Sequence, residues 1–166
     1  MPVVTHADER WLHCDIKSTS LLGNVLMKQY AVDRGASETV MLRDGFLTEG
    51  SSTNTMIVVR GTLVAPRKSV QILPGITYDA AIEIARARGV AVELRPVPES
   101  ELRAADEVWL SSSGREVIAI TALDGRPVGS GRPGPLYQQM VEWFQQAKRA
   151  DAAHWLAERA ARKLAA

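Results

Sequence analysis

Glu38-Thr39-Val40-Met41-Leu42-Arg43-Asp44-Gly45-Phe46-Leu47-Thr48-Glu49-Gly50-Ser51-Ser52-Thr53-Asn54 is the stretch on which the fold turns. Residues 38–43 carry strand-forming side chains, Asp44-Gly45 is a favoured two-residue turn, and Phe46-Leu47-Thr48 brings the chain back as a hairpin. The same logic recurs in residues 55–59, Arg60-Gly61 and residues 62–65. Working outward, the spacing predicts a helix over residues 18–34, with Leu21, Leu22, Val25, Leu26 and Tyr30 in register and Gly35 as its stop. A second helix is expected over residues 78–88, with Ala81, Ile84 and Ala85 inward and Gly89 ending it. Strands are expected at 90–97, 107–110 and 116–123, the last turned by Asp124-Gly125 into Pro127-Val128, with a short helix over 98–105. A final helix should begin near Pro135 and pack Leu136, Met140, Val141 and Phe144. Hairpins mixed with helices imply an α/β or α+β domain, with a largely antiparallel or mixed sheet and flanking helices.

At 166 residues the chain is long enough for one domain with a real core. Its 46% apolar and 23% charged composition is that of a soluble globular protein. A formal net charge of +1 gives no electrostatic reason to expect nucleic acid or an anionic membrane as partner. The single Cys14 excludes an internal disulfide framework and suits a reducing cytoplasm. No stretch approaches the roughly 18 apolar residues of a membrane span, and the N-terminus lacks a signal-peptide pattern, so a cytoplasmic location is expected. His6, His13 and His154 have no metal-ligand spacing with Cys14 or with carboxylates. Gly129-Ser130-Gly131-Arg132-Pro133-Gly134 spells a dinucleotide fingerprint, but no strand with an acidic end follows it and Pro133 stiffens it, so it reads as a turn. Residues 149–166 form an Ala- and Arg-rich tail, with Trp155, Leu156 and Leu164 at helical spacing.

Four features carry chemistry. Lys17 lies in Cys14-Asp15-Ile16-Lys17-Ser18-Thr19-Ser20-Leu21-Leu22, and Glu49 lies in Thr48-Glu49-Gly50-Ser51-Ser52-Thr53-Asn54. Leu73-Pro74-Gly75-Ile76-Thr77 leads into a helix, whose start offers free N–H groups and a positive dipole end to an anion, with Thr77 suited to cap it. Ser111-Ser112-Ser113 follows an apolar strand. An amine, an acid, an anion-binding helix start and a hydroxyl cluster are what a protein needs to hold pyridoxal 5′-phosphate.

In this order the four strings resemble the fold-type IV (class IV) pyridoxal-phosphate enzymes, most closely the D-amino-acid aminotransferases. The likeness runs from about Ala7 to Lys148, and Asp124-Gly125-Arg126-Pro127-Val128-Gly129 with Pro133-Gly134-Pro135 leans toward the D-amino-acid branch. It implies that Lys17 forms the Schiff base and shuttles a proton, for which partial burial would lower its pKa. It implies that Glu49 keeps the pyridine nitrogen protonated, that Leu73 lies against the ring, and that Ile76, Thr77, Ser112 and Ser113 hold the phosphate. Arg10 and Glu38 fall where the family has polar residues that line or support the site. Tyr78 replaces an arginine common after Gly-Ile-Thr, a change expected to alter the rim of the phosphate turn.

The resemblance makes residues 1–148 the large cofactor-binding domain. It implies transamination between a D-alanine-like amino acid and a 2-oxo acid, and a homodimer. Its rivals are a branched-chain aminotransferase, an aminodeoxychorismate lyase of the same family, and an inactive remnant or association domain. Family members carry a smaller domain ahead of the lysine string, so this chain is expected to be the large domain alone. The activity would then be impaired and apolar surface left uncovered.

Overall fold

The computed structural model describes residues 1–164, with side chains through residue 154. Ten strands and four helices alternate as β1 (Pro2–Ala7), α1 (Leu22–Val32), β2 (Thr39–Arg43), β3 (Phe46–Gly50), β4 (Asn54–Val59), β5 (Thr62–Ala65), α2 (Ile76–Ala87), β6 (Val92–Leu94), α3 (Glu99–Ala104), β7 (Glu107–Ser112), β8 (Glu116–Ile120), β9 (Ala122–Leu123), β10 (Arg126–Pro127) and α4 (Pro135–Leu164). They build two five-stranded sheets, ordered β10-β9-β1-β2-β3 and β6-β5-β4-β7-β8. Both are mixed: β1 runs parallel to β2 and β9, and β5 parallel to β6, while the other pairings are antiparallel.

The hairpins form where the two-residue turns sit. Asp44-Gly45, Arg60-Gly61 and Asp124-Gly125 all hold positive φ at both positions, 52° and 80°, 49° and 77°, 50° and 74°. That is the turn whose twist matches antiparallel strands. Alternation along the second sheet then divides the apolar residues between two layers. Ile57, Val64, Val108 and Leu110 face the first sheet, meeting Val3, Val40, Leu47 and Leu123. Met56, Val58, Leu63 and Trp109 face α2 and α4, packing on Tyr78, Ala81, Ala85, Met140 and Phe144.

Several expectations change. β1, which lies at the centre of the first sheet, was not read from Pro2-Val3-Val4-Thr5-His6-Ala7. The single strand expected over 116–123 is divided: β8 stays in the second sheet, and β9 pairs with β1 in the first. Thr121, between them, donates its N–H to the Met1 carbonyl (2.9 Å), and its hydroxyl oxygen accepts from the Met1 amine (2.9 Å). Only Val92–Leu94 of the expected 90–97 strand is extended in a ladder. The first two serines of the hydroxyl run belong to β7, and only Ser113 enters the turn. Tyr78 is a core residue, not a rim residue, and its hydroxyl donates to the Pro66 carbonyl at 2.6 Å.

The first helix is shorter than residues 18–34, and most of the apolar residues at helical spacing lie on its outer face. Met27 and Ala31 face the sheet, whereas Leu21, Leu22, Val25 and Leu26 are exposed, Leu22 at 71%. Helical periodicity identifies which residues share a face, not which face meets the core.

α4 runs unbroken across residue 148, so the boundary expected there falls inside a helix. Trp155, Leu156 and Leu164 lie outside the described side chains. The helix start is capped from a distance: the buried Glu107 of β7 accepts from the Leu136 and Tyr137 N–H groups and from the Trp109 indole, each at 2.9 Å. A carboxylate suits the positive end of a helix. Gly134 leaves room for it, since a Cβ there would stand 2.2 Å from Glu107 Cδ. Glu107→Ala would strand one buried and two part-buried donors and is expected to cost about 2–4 kcal/mol, read as a lower urea midpoint at unchanged m-value.

Candidate active site

Glu49 is the penultimate residue of β3, just before the chain turns sharply into β4. The turn is closed by the Gly50 N–H donating to the Thr53 carbonyl at 2.7 Å, and no side chain fits at Gly50, whose Cβ would lie 2.0 Å from Thr53 Oγ1. Glu38, fully buried with no described cation beside it, anchors this turn. Its Oε1 accepts from the Thr39 N–H (2.9 Å), the Ser51 N–H (3.2 Å) and the Ser51 hydroxyl, and its Oε2 accepts from Ser52 (3.2 Å). From α1, the Asn24 amide donates to the Ser51 carbonyl at 2.8 Å.

Both oxygens of Glu49 are engaged. Oε1 accepts from Arg10 Nη1 at 2.6 Å, and Oε2 accepts from Asn54 Nδ2 at 3.0 Å and from the Leu73 N–H at 3.1 Å. A carboxylate offers about four lone-pair positions. One further donor can therefore approach from the cavity that Glu49 lines. Asn54 also donates to the Leu73 carbonyl at 2.8 Å, tying the acid to the turn ahead of α2.

At that turn Gly75 is the N-cap and makes no side-chain cap, so the first N–H groups of α2 stay open. Thr77 lies inside the first turn and is not the cap. A Cβ on Gly75 would come within 2.2 Å of Asn54 Oδ1, which explains the glycine.

A cavity of about 430 Å³ joins these parts. Lys17, Glu49, Leu73, Ile76, Thr77, Ser112 and Ser113 all line it. Its volume is in the range of small-molecule sites. Arg10 lines a smaller adjoining space with Lys17, Glu49 and Leu73, while Glu38 lies behind the Gly50–Thr53 turn. Lys17 is exposed, contrary to the part-burial expected of it.

Three residues escaped the sequence reading. Asn54 was quoted in the acid's string without a role, and neither Asp8 nor Arg43 carried a signal. Asp8 lies just past β1, where its carboxylate receives Arg10 Nε (2.9 Å) and Nη2 (2.8 Å), the Thr48 hydroxyl (2.8 Å) and Arg43 Nη2 (3.1 Å).

Burial pushes the Glu49 carboxyl up to about 7, against the downward pull of Arg10's charge and hydrogen bond and the Leu73 N–H. Burial also acts to raise Asp8, but hydrogen bonds from Arg10 and Thr48 hold it below the ordinary value. The signs are therefore opposite. Stability from Glu49 is present below its ordinary value of 4.5 and lost as pH rises through about 7. Stability from Asp8 is present above its ordinary value of 3.8 and lost in more acid solution. Relative to Glu49→Gln, the wild-type protein should lose about 2–3 kcal/mol as pH rises through this Glu49 window, measured by denaturant unfolding.

The chain belongs to the class IV aminotransferase family, whose model matches residues 3–123. It is 39% identical over 142 residues to D-alanine aminotransferase of Bacillus licheniformis, covering 86% of this chain and 50% of that protein. It is 41% identical over 143 residues to D-alanine aminotransferase of Staphylococcus aureus (strain MSSA476), covering 86% and 51%. Among solved structures, the T.th. branched-chain amino acid aminotransferase complexed with N-(5′-phosphopyridoxyl)-L-glutamate superimposes with a TM-score of 0.83 at 31% identity, covering 88% of this chain and 51% of that one. The fold IV transaminase CpuTA1 of Curtobacterium pusillum gives 0.80 at 27% identity, covering 90% and 53%. The chain thus spans about half the length of the relatives it matches, and its two mixed sheets with flanking helices are the fold of these neighbours.

Proposed function

We propose that residues 1–148 form the cofactor-binding part of a pyridoxal 5′-phosphate-dependent aminotransferase. It would exchange the amino group of a D-alanine-like amino acid with a 2-oxo acid. The observation that carries this reading is the single cavity onto which Lys17, Glu49, the start of α2 and Ser112-Ser113 all open. The donor set fits the group: open helix N–H groups and hydroxyls for a phosphate, a carboxylate with capacity for a ring N–H, and an amine for an aldehyde. When bound, the cofactor supplies an electron-accepting ring to the substrate's alpha carbon.

In this reading Lys17 Nζ holds the cofactor covalently and then moves the proton at the substrate's alpha carbon. Glu49 keeps the ring nitrogen protonated. The Ile76 and Thr77 N–H groups, the Thr77 hydroxyl, Ser112 and Ser113 hold the phosphate, and Leu73 lies against the ring. Arg10 and Glu38 support the site through Glu49 and the Gly50–Thr53 turn. The substrate class is favoured by the D-alanine aminotransferases among the relatives.

A branched-chain substrate is the second reading, favoured by the superposition on the T.th. branched-chain enzyme. Amino-group transfer from D-alanine compared with that from branched-chain amino acids separates the two.

The test is incubation with pyridoxal 5′-phosphate, borohydride reduction and peptide mapping. A pyridoxyl group on Lys17 is expected; no adduct, or one confined to other lysines, would defeat the proposal. A homodimer in a reducing cytoplasm completes it, supported by the apolar Trp11, Leu12, Leu22, Val25 and Leu26 left at the surface. Sedimentation equilibrium checks the assembly.

A further inference from the structure

The ionic chain behind Glu49 continues beyond what the proposed chemistry uses. Arg10 presents two faces of one guanidinium: Nη1 donates to Glu49, while Nε and Nη2 form a two-pronged contact with Asp8. Nη2 also donates to the Gln71 carbonyl at 3.2 Å, which fixes the plane of the group. The Asp8 side chain is wholly buried, those of Arg10 and Glu49 nearly so, and Arg43 closes the far end. Two carboxylates and two guanidiniums thus make a neutral row, with Asp8 between the cations and Glu49 at the cavity end. The remaining titratable groups near Glu49 are Asp15 and Lys17, which line the same cavity, and Cys14, which lines the adjoining one. From α1 only the uncharged Gly23 and Asn24 approach: a Cβ on Gly23 would meet Arg10 Cγ at 3.1 Å.

We propose that Asp8 is a positioning residue for Glu49: it clamps Arg10 in one orientation and, by sharing that cation, keeps Glu49 a better proton acceptor than it would be with an arginine to itself. A guanidinium with a single carboxylate partner gives that partner its whole field, and the partner becomes a weaker base. With Asp8 on its other edge, Arg10 divides its charge. A lone arginine would satisfy Glu49's hydrogen bond equally well, so what Asp8 adds is proton affinity at the atom facing the cavity. For function, the inference rests on the reading that Glu49 serves a ring nitrogen; its physical content does not.

The test uses cofactor-free protein with ¹³C-labelled glutamate, the Glu49 carboxyl signal being assigned by its loss in Glu49→Gln. Asp8→Asn keeps the shape and removes the charge, and the Glu49 midpoint should fall by about one pH unit. Thr48→Val removes a hydrogen bond to Asp8 and leaves its charge. Asp8 should then draw harder on Arg10, and the Glu49 midpoint should rise. This milder variant decides the matter if Asp8→Asn does not fold. A purely structural Asp8 would lower stability and leave the midpoint where it was, and an unmoved midpoint in the folded variants overturns the inference. Failure of pyridoxal 5′-phosphate to attach to Lys17 would count against the functional reading alone, because the titration is made without the cofactor.

Discussion

Arg10→Ala should destabilise the protein by about 3–5 kcal/mol, the scale for removing one partner from a buried ion pair. That is a large share of the roughly 5–15 kcal/mol that typically separates folded from unfolded chains. The reason is the number of groups left behind: Asp8 loses two charge-assisted bonds, Glu49 its only ion pair among the described residues, and the Gln71 carbonyl a donor. The penalty should itself depend on pH. Arg10 is among the groups that pull the Glu49 carboxyl down, so without it burial drives that carboxyl above its already raised value. The variant should therefore recover part of its loss in mildly acid solution, where Glu49 is neutral. Urea unfolding of both proteins on either side of neutrality measures this. Equal penalties at the two pH values would mean that Asp8, not Glu49, bears the cost.

Lys17→Ala should abolish covalent labelling by pyridoxal 5′-phosphate and reductant, and slow any amino-group transfer by at least about 10²–10⁴-fold, the usual contribution of one positioned proton carrier. Its effect on folding should be negligible, because the side chain is exposed and makes no hydrogen bond or ion pair among the described residues. Loss of chemistry with stability unchanged is the mirror image of what Arg10→Ala should do. The pair separates the residue that reacts from those that hold the site. Retention of transfer by Lys17→Ala would place the reacting amine elsewhere.

Turns were the most legible part of the chain. Asp44-Gly45 and Asp124-Gly125 announced their hairpins because few other dipeptides accept two positive φ angles in succession. β1 was missed because Pro2-Val3-Val4-Thr5 is flanked by no turn signal, and its partners, β2 and β9, lie far along the chain. The first helix was found but not its inner face, since periodicity alone does not say which face the sheet will take.

At the site, Lys17, Glu49, Ile76, Thr77 and the serines were singled out by local strings, and these residues line one cavity. Asp8 and Arg43 could not be found that way. An aspartate next to a strand ordinarily faces water, and only the three-dimensional row of Arg10, Arg43 and Thr48 makes its burial tolerable in energy. Glu38 was named only through the resemblance: its partners are chiefly backbone N–H groups and hydroxyls, which leave no charge pattern in a sequence.

The seat of β1 between β2 and β9 has a kinetic consequence. The hairpins β2-β3 and β4-β5 can close within a few residues, whereas the Pro2–Ala122 pairing closes almost the whole described domain into one loop. Loops of that length form late and slowly. Refolding should therefore pass through a stage in which β1 is already paired with β2 but not yet with β9.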